Sequence, residues 1–137
     1  MSIGGRNETN NKKLMPIPKT IDFGFQFDDK KLWSLEVPSE EMSLDELKEN
    51  LDIAYLEKEG TDDWNLTLRE LIEAPEKNPS HFDRVKKADL KYPIEIYDFA
   101  EGWTILDGVH RFFKATIEGR KTIAVRKITD SMIKEII

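Results

Sequence analysis

Asp107, Gly108, His110 and Arg111 stand within five consecutive positions, where an apolar run (WTIL) gives way to helical spacing (VHRFFKATIEG). Lys114 follows one turn after His110. A strand that breaks into Asp-Gly and resumes as a helix makes a corner with unpaired amide N–H groups and a partial positive charge. Gly108 would let a ligand come close to the backbone, or would let the chain take a positive φ. Arg111 could grip a phosphate or carboxylate with two parallel hydrogen bonds, with His110 beside it and Lys114 extending the site. Together these features suit an anion, a phosphate above all. Asp107 does not suit a bare anion; its chemistry would be to hold a metal ion such as Mg²⁺ or to accept a hydroxyl proton.

Ordinary readings of the same residues stand beside these. Asp107 could cap the helix or pair with Arg111 at i,i+4. His110 could be structural and Lys114 merely solvated, while Phe112 and Phe113 read as core. Trp33, Trp64 and Trp103 read as packing residues, because no basic side chains are interleaved with them. His81, Asp83 and Arg84 form a second polar cluster. If the corner is an anion cradle, Gly108→Val is expected to lose binding more completely than stability.

Composition limits what such a corner could serve. The chain has 137 residues, 39% hydrophobic and 35% charged, which supports one small core rather than two. It contains no cysteine, so disulfides, thiolate metal sites and thiol catalysis are excluded. No apolar run is long enough to span a membrane and the first residues lack the core of a secretory signal, so the expected location is cytoplasmic. The net charge of -6 is unevenly spread: residues 34–79 carry 4 basic and 14 acidic side chains, while the segments on either side are each slightly basic. A general nucleic-acid binder needs a basic footprint, so DNA is not the expected partner and any anion site must be local.

The elements that must position the corner follow from pattern. Residues 1–32, polar and carrying Gly4, Gly5, Pro16 and Pro18, read as an N-terminal arm that would rest on its own domain or join two copies as a homodimer; residues 33–137 read as one domain. Ile21, Phe23, Phe25 and Phe27 alternate, LWSLEV reads as a strand, and residues 57–63 as a solvated linker. Ser43 with Glu46 and Thr67 with Glu70 are capping boxes, and Ser80 with Asp83 is a weaker one. PIEIYD, a turn at FAEG, and WTILD predict a hairpin. A helix over 109–118 stops at Gly119, TIAVRKI is a further strand, and DSMIKEII a closing helix. The predicted class is α+β, helices packed on a small mixed β-sheet.

Residues 88–128 (ADLKYPIEIYDFAEGWTILDGVHRFFKATIEGRKTIAVRKI) resemble the ParB/sulfiredoxin-like superfamily, in which a Pro-Ile strand and a hairpin lead to a G-x-H-R or G-x-R-R turn that opens a helix. The resemblance covers about 40 residues well and is compatible with residues 33–87. It implies that Gly108, Val109, His110 and Arg111 form a phosphate-binding turn, with Lys114 nearby, in a stand-alone ParB-like domain. Sulfiredoxins carry a cysteine in this turn, and Val109 stands there instead, so sulfiredoxin chemistry is excluded. Chromosome-partitioning members carry G-E-R-R, add a DNA-binding domain and bind CTP; this acidic chain departs from them. A free-serine kinase of the superfamily transfers phosphate to a small hydroxyl compound, and Asp-Gly-x-His-Arg is similar to that use. The expected function is therefore binding of a phosphorylated ligand, a nucleotide first of all, with phosphotransfer through Asp107 and His110 and with Mg²⁺ as its enzymatic form. A non-catalytic protein-interaction module using the acidic segment is the alternative, and a metal-dependent nuclease acting through Asp107 is a third.

Overall fold

The computed structural model describes residues 25–58, 60–61, 65–99 and 102–137. The expectations for residues 1–24, for Trp64 and for the tip of the FAEG turn lie outside them. The hairpin forms as its alternation predicts: β2 (Ile94–Phe99) pairs antiparallel with β3 (Gly102–Asp107). Helix α4 (Val109–Ile117) follows directly, then β4 (Thr122–Ile128) and α5 (Asp130–Ile136). Strand β4 runs parallel to β2 on the side away from β3, and a short β1 (Glu40–Ser43) closes the far edge, giving the order β1-β4-β2-β3. The architecture is α+β, a four-stranded mixed sheet with packed helices. No helix among the described residues is long and apolar enough to cross a membrane.

Both faces of the sheet are covered, so β2 buries three consecutive residues, Ile94, Glu95 and Ile96. On the first face, Ile94, Ile96, Ile105 and Val125 meet Phe112 and Phe113 of α4. Helix α2 (Leu68–Glu73) and helix α3 (Pro79–Lys87) add Leu68, Leu71 and Val85 to that core. On the second face, Ile128, Tyr97 and Leu106 meet α5 and a helix at the other end of the described chain, α1 (Asp29–Ser34). Full burial of a Leu, Ile or Phe side chain contributes about 1.5–3 kcal/mol, so both clusters are needed to offset the ordering of so short a chain.

The first half of the predicted strand LWSLEV is instead the end of a helix, because Asp28 caps it: its carboxylate accepts from the N–H groups of Lys30 and Lys31. This helix straddles the expected boundary between arm and domain at residue 32, and Leu32 is fully buried against Ile128, Ile133 and Ile136. Phe25 and Phe27 pack on the same cluster, so residues 25–32 belong to the domain. The stretch after Ser43 is a 3₁₀ helix (Leu44–Asp52), in which Ser43 accepts from Asp45 N–H. Helix α3 starts at Pro79 after Asn78, which places Ser80 and Asp83 inside the helix and dissolves the expected box. The Thr67–Glu70 box is complete in both directions. Gly119 stops α4 in the left-handed conformation, with Arg120 N–H reaching Ala115 and Gly119 N–H reaching Thr116.

Candidate functional site

The corner is built by the end of β3. A register shift between Glu95 and Ile96 brings Asp107 opposite Glu95, and Gly108 then turns the chain at φ 104°. A Cβ on Gly108 would lie 2.5 Å from Cγ2 and 2.9 Å from Cβ of Ile94. The bare side of the glycine therefore faces β2. Its two duties are the left-handed backbone and the close seating of α4 on the sheet. Of the two expected readings of Gly108, the positive φ is present, and the missing side chain makes room for Ile94 of β2.

Asp107 and Arg111 pair at i,i+4, at 3.3 Å, and are only partly exposed. The same carboxylate oxygen, Oδ2, accepts from Trp33 Nε1 at 2.8 Å, and Arg111 also donates to the Pro93 carbonyl at 2.7 Å. Together these contacts tie α1, β3, α4 and the entry to β2 at one point. Asp107 thus has a positional duty that its expected roles as metal ligand or base did not include. No group of three or more His, Cys, Asp or Glu among the described residues is arranged to hold a metal ion. Lys114 points elsewhere: its ammonium donates to the carbonyls of Lys86 and Ala88 and caps the end of α3, so it is not brought to the corner.

The expected second cluster divides. Asp83 pairs with Lys87 at 3.0 Å on an exposed surface. His81 instead turns inward and faces His110, with ring centroids 6.2 Å apart and planes 25° from parallel. His81 Nε2 lies 2.7 Å from the Glu57 carbonyl. A carbonyl only accepts, so Nε2 is the donor in this contact. His81 Nδ1 and His110 Nε2 are both buried without a hydrogen-bond partner among the described residues. Burial holds the His110 imidazole below its ordinary pKa; His81 and Arg84 push the same way, and Asp107 opposes them.

Beside the corner opens a cleft of about 1100 Å³. Residues 53–56 form one wall, Arg84, Lys87 and Tyr92 another, and residues 107–111 the floor. The first hydrogen bond within α4 runs from Phe112 N–H to the Gly108 carbonyl, so the amides of Val109, His110 and Arg111 precede it and make none inside the helix. Tyr55 anchors its wall: its hydroxyl accepts from Ile105 N–H at 2.9 Å and donates to Asn50 at 2.6 Å. Asn50 in turn donates to the Leu47 and Trp103 carbonyls. Burial pushes the Tyr55 hydroxyl well above its usual range, so it stays neutral.

Beneath the corner, Glu95 and Arg126 form a buried pair at 2.9 Å, and Arg126 also donates to the Leu35 carbonyl. Burial pushes the Glu95 carboxyl up against the pull of Arg126. Sequence reasoning missed Tyr55, Lys87 and Tyr92 as cleft residues and Trp33 as the partner of Asp107. All of these depend on contacts between distant segments, and no local spacing signals them. Comparison with family models, curated proteins and solved structures finds no match to the chain.

Proposed function

We propose that the protein binds a small phosphorylated ligand, a nucleotide first of all, in the cleft before α4, as a stand-alone ParB/sulfiredoxin-like domain. One observation carries the reading. The residues that open α4, whose amides make no hydrogen bond inside the helix, line a cleft together with Arg84 and with Lys87, which also pairs with Asp83, and Arg111 is held in place at its edge. Amides, helix dipole and cations then act on one anion, and the apolar wall beside Ile53 and Leu56 suits the rest of a nucleotide. The Gly-x-His-Arg turn after a Pro-Ile strand supports the superfamily. Phosphotransfer would have to use an Asp107 carboxylate that already serves Trp33 and Arg111 through one oxygen.

Calorimetric titration with ATP, ADP and CTP, each with and without Mg²⁺, tests the proposal. Binding tighter than millimolar, weakened in Arg84→Ala and Lys87→Ala, is the expected result. Absence of binding by all three nucleotides and by inorganic phosphate overturns it.

A further inference from the structure

Tyr92 lines the cleft, is 55% exposed, and belongs to neither hydrophobic core. The other Phe and Tyr rings of the cleft have packing duties. Phe25 and Phe27 join the cluster on the second face, and Tyr55 packs on the first core with its hydroxyl bound to Ile105 N–H. Among the described residues Tyr92 is thus the one Phe or Tyr ring of the cleft that packing does not explain. Its place is nevertheless fixed. Asp89 Oδ1 accepts from Lys91 N–H at 3.0 Å, and the Asp89 carbonyl accepts from Tyr92 N–H at 3.3 Å, which closes a tight turn. Pro93 follows with its φ locked by the pyrrolidine ring, and its carbonyl takes Arg111 from the first turn of α4. An aromatic side chain with only two rotatable bonds is thereby held in the wall that also carries Arg84.

We infer that Tyr92 is the platform on which the flat, uncharged part of the ligand stacks, so that the cleft takes a purine nucleotide in preference to a pyrimidine nucleotide or to a phosphate without a base. The inference rests on the reading of the cleft as a nucleotide site. The chemistry of the cleft divides in that sense. Arg84 and Arg111 supply positive charge for phosphate, while Ile53, Ala54 and Leu56 offer apolar surface. Next to Tyr92 stands the Asp89 carboxylate, which repels phosphate. The Lys91 ammonium lies 3.9 Å from that carboxylate and 5.1 Å over the centroid of the Tyr92 ring. This end of the cleft is therefore close to neutral and suits an uncharged aromatic group. Stacking on an aromatic side chain accepts every base, because every base has a π face. Its strength grows with the apolar area covered, so two-ring adenine and guanine gain more than one-ring cytosine. The bond from Arg111 to the Pro93 carbonyl joins the platform to the anion end, so both halves of the ligand are met by one braced unit.

Calorimetric titrations with ATP, GTP, CTP and tripolyphosphate, each with Mg²⁺, separate the two halves of the cleft. Wild type is expected to bind ATP and GTP about equally, both about threefold or more tighter than CTP and about tenfold or more tighter than tripolyphosphate. Tyr92→Ala is expected to weaken ATP about tenfold or more while tripolyphosphate changes by less than about twofold. Tyr92→Phe keeps the ring and is expected to stay within about twofold of wild type for all four. Because the side chain lies outside both cores, both variants are expected to keep the wild-type melting curve. Should Tyr92→Ala weaken ATP and tripolyphosphate alike, the residue shapes the anion end, and the platform is overturned while the anion site stands. Equal affinity of wild type for ATP and tripolyphosphate also overturns the platform and leaves a site for phosphate alone. Equal affinity for ATP and CTP overturns the preference for a purine. Binding of none of the four removes the nucleotide reading of the cleft, and the inference with it.

Discussion

Gly108 shows how one atom can carry a corner. Its φ of 104° is a conformation that side chains rarely adopt, and the Cβ it lacks would overlap Ile94. Gly108→Ala is therefore expected to destabilise the fold by at least the 1–3 kcal/mol or so typical of a strained backbone position, read as a lowered urea midpoint. A variant with unchanged stability would show that α4 does not seat on Ile94 as described. Asp107 makes a similar argument. Asp107→Ala removes the shared acceptor of Trp33 Nε1 and one Arg111 donor, and because water can reach the exposed Trp33 a loss of about 0.5–1.5 kcal/mol is expected. Part of this was legible: the i,i+4 spacing offered the Asp107–Arg111 pair directly. Trp33 is 74 positions from Asp107 and His81 is nearly thirty from His110, and no local pattern couples residues so far apart.

Among the elements, those marked by a regular period or a complete cap were legible, and those that depend on a distant partner were not. The hairpin, α4, β4 and α5 follow from alternation, helical spacing and Gly119. The capping box of α2 was also readable, since both of its residues lie within four positions. Thr67→Ala should cost about 1 kcal/mol, visible as faster amide exchange confined to α2. Helix α1 has six residues and one buried side chain, so its aromatic and β-branched neighbours suggested a strand; the Asp28 cap decided otherwise. Strand β1 (EEMS) has a single buried residue, Met42, and exists because the edge of β4 is available to pair with it. Lys114 belongs to this scale as well. It serves the C-terminus of α3, so Lys114→Ala should leave nucleotide affinity within about twofold and cost about 1 kcal/mol of stability, as for a lost cap. A large loss of affinity would return Lys114 to the site.

For the molecule as a whole, the burial of His110 makes stability depend on pH. His110 has its folded pKa below that of the unfolded chain, so at mildly acid pH the unfolded state binds more protons. Its contribution is fully present above about pH 6.5 and is lost as pH falls through the depressed folded value. Glu95, pushed upward, works in the opposite sense, which makes the difference between wild type and His110→Gln the quantity to measure. Chemical unfolding from about pH 7.5 down to about pH 5 should show wild type losing more stability than the variant; parallel curves would remove His110 from the account.

The second face of the sheet also sets an order of assembly. Everything that builds the first core lies between β1 and β4 and can meet as soon as β4 exists. Helix α1, although made much earlier, lacks the buried residues of its cluster, Ile128, Ile133 and Ile136, until these have been synthesised. Its ties run to the far end of the described chain: Asp28 N–H reaches the Ile136 carbonyl, and the Leu35 carbonyl takes Arg126 from 91 positions away. Closing so long a loop is entropically slow. Trp33 therefore reaches Asp107 last, and on the ribosome the corner that faces the ligand would acquire its final hydrogen bond only after α5 has emerged.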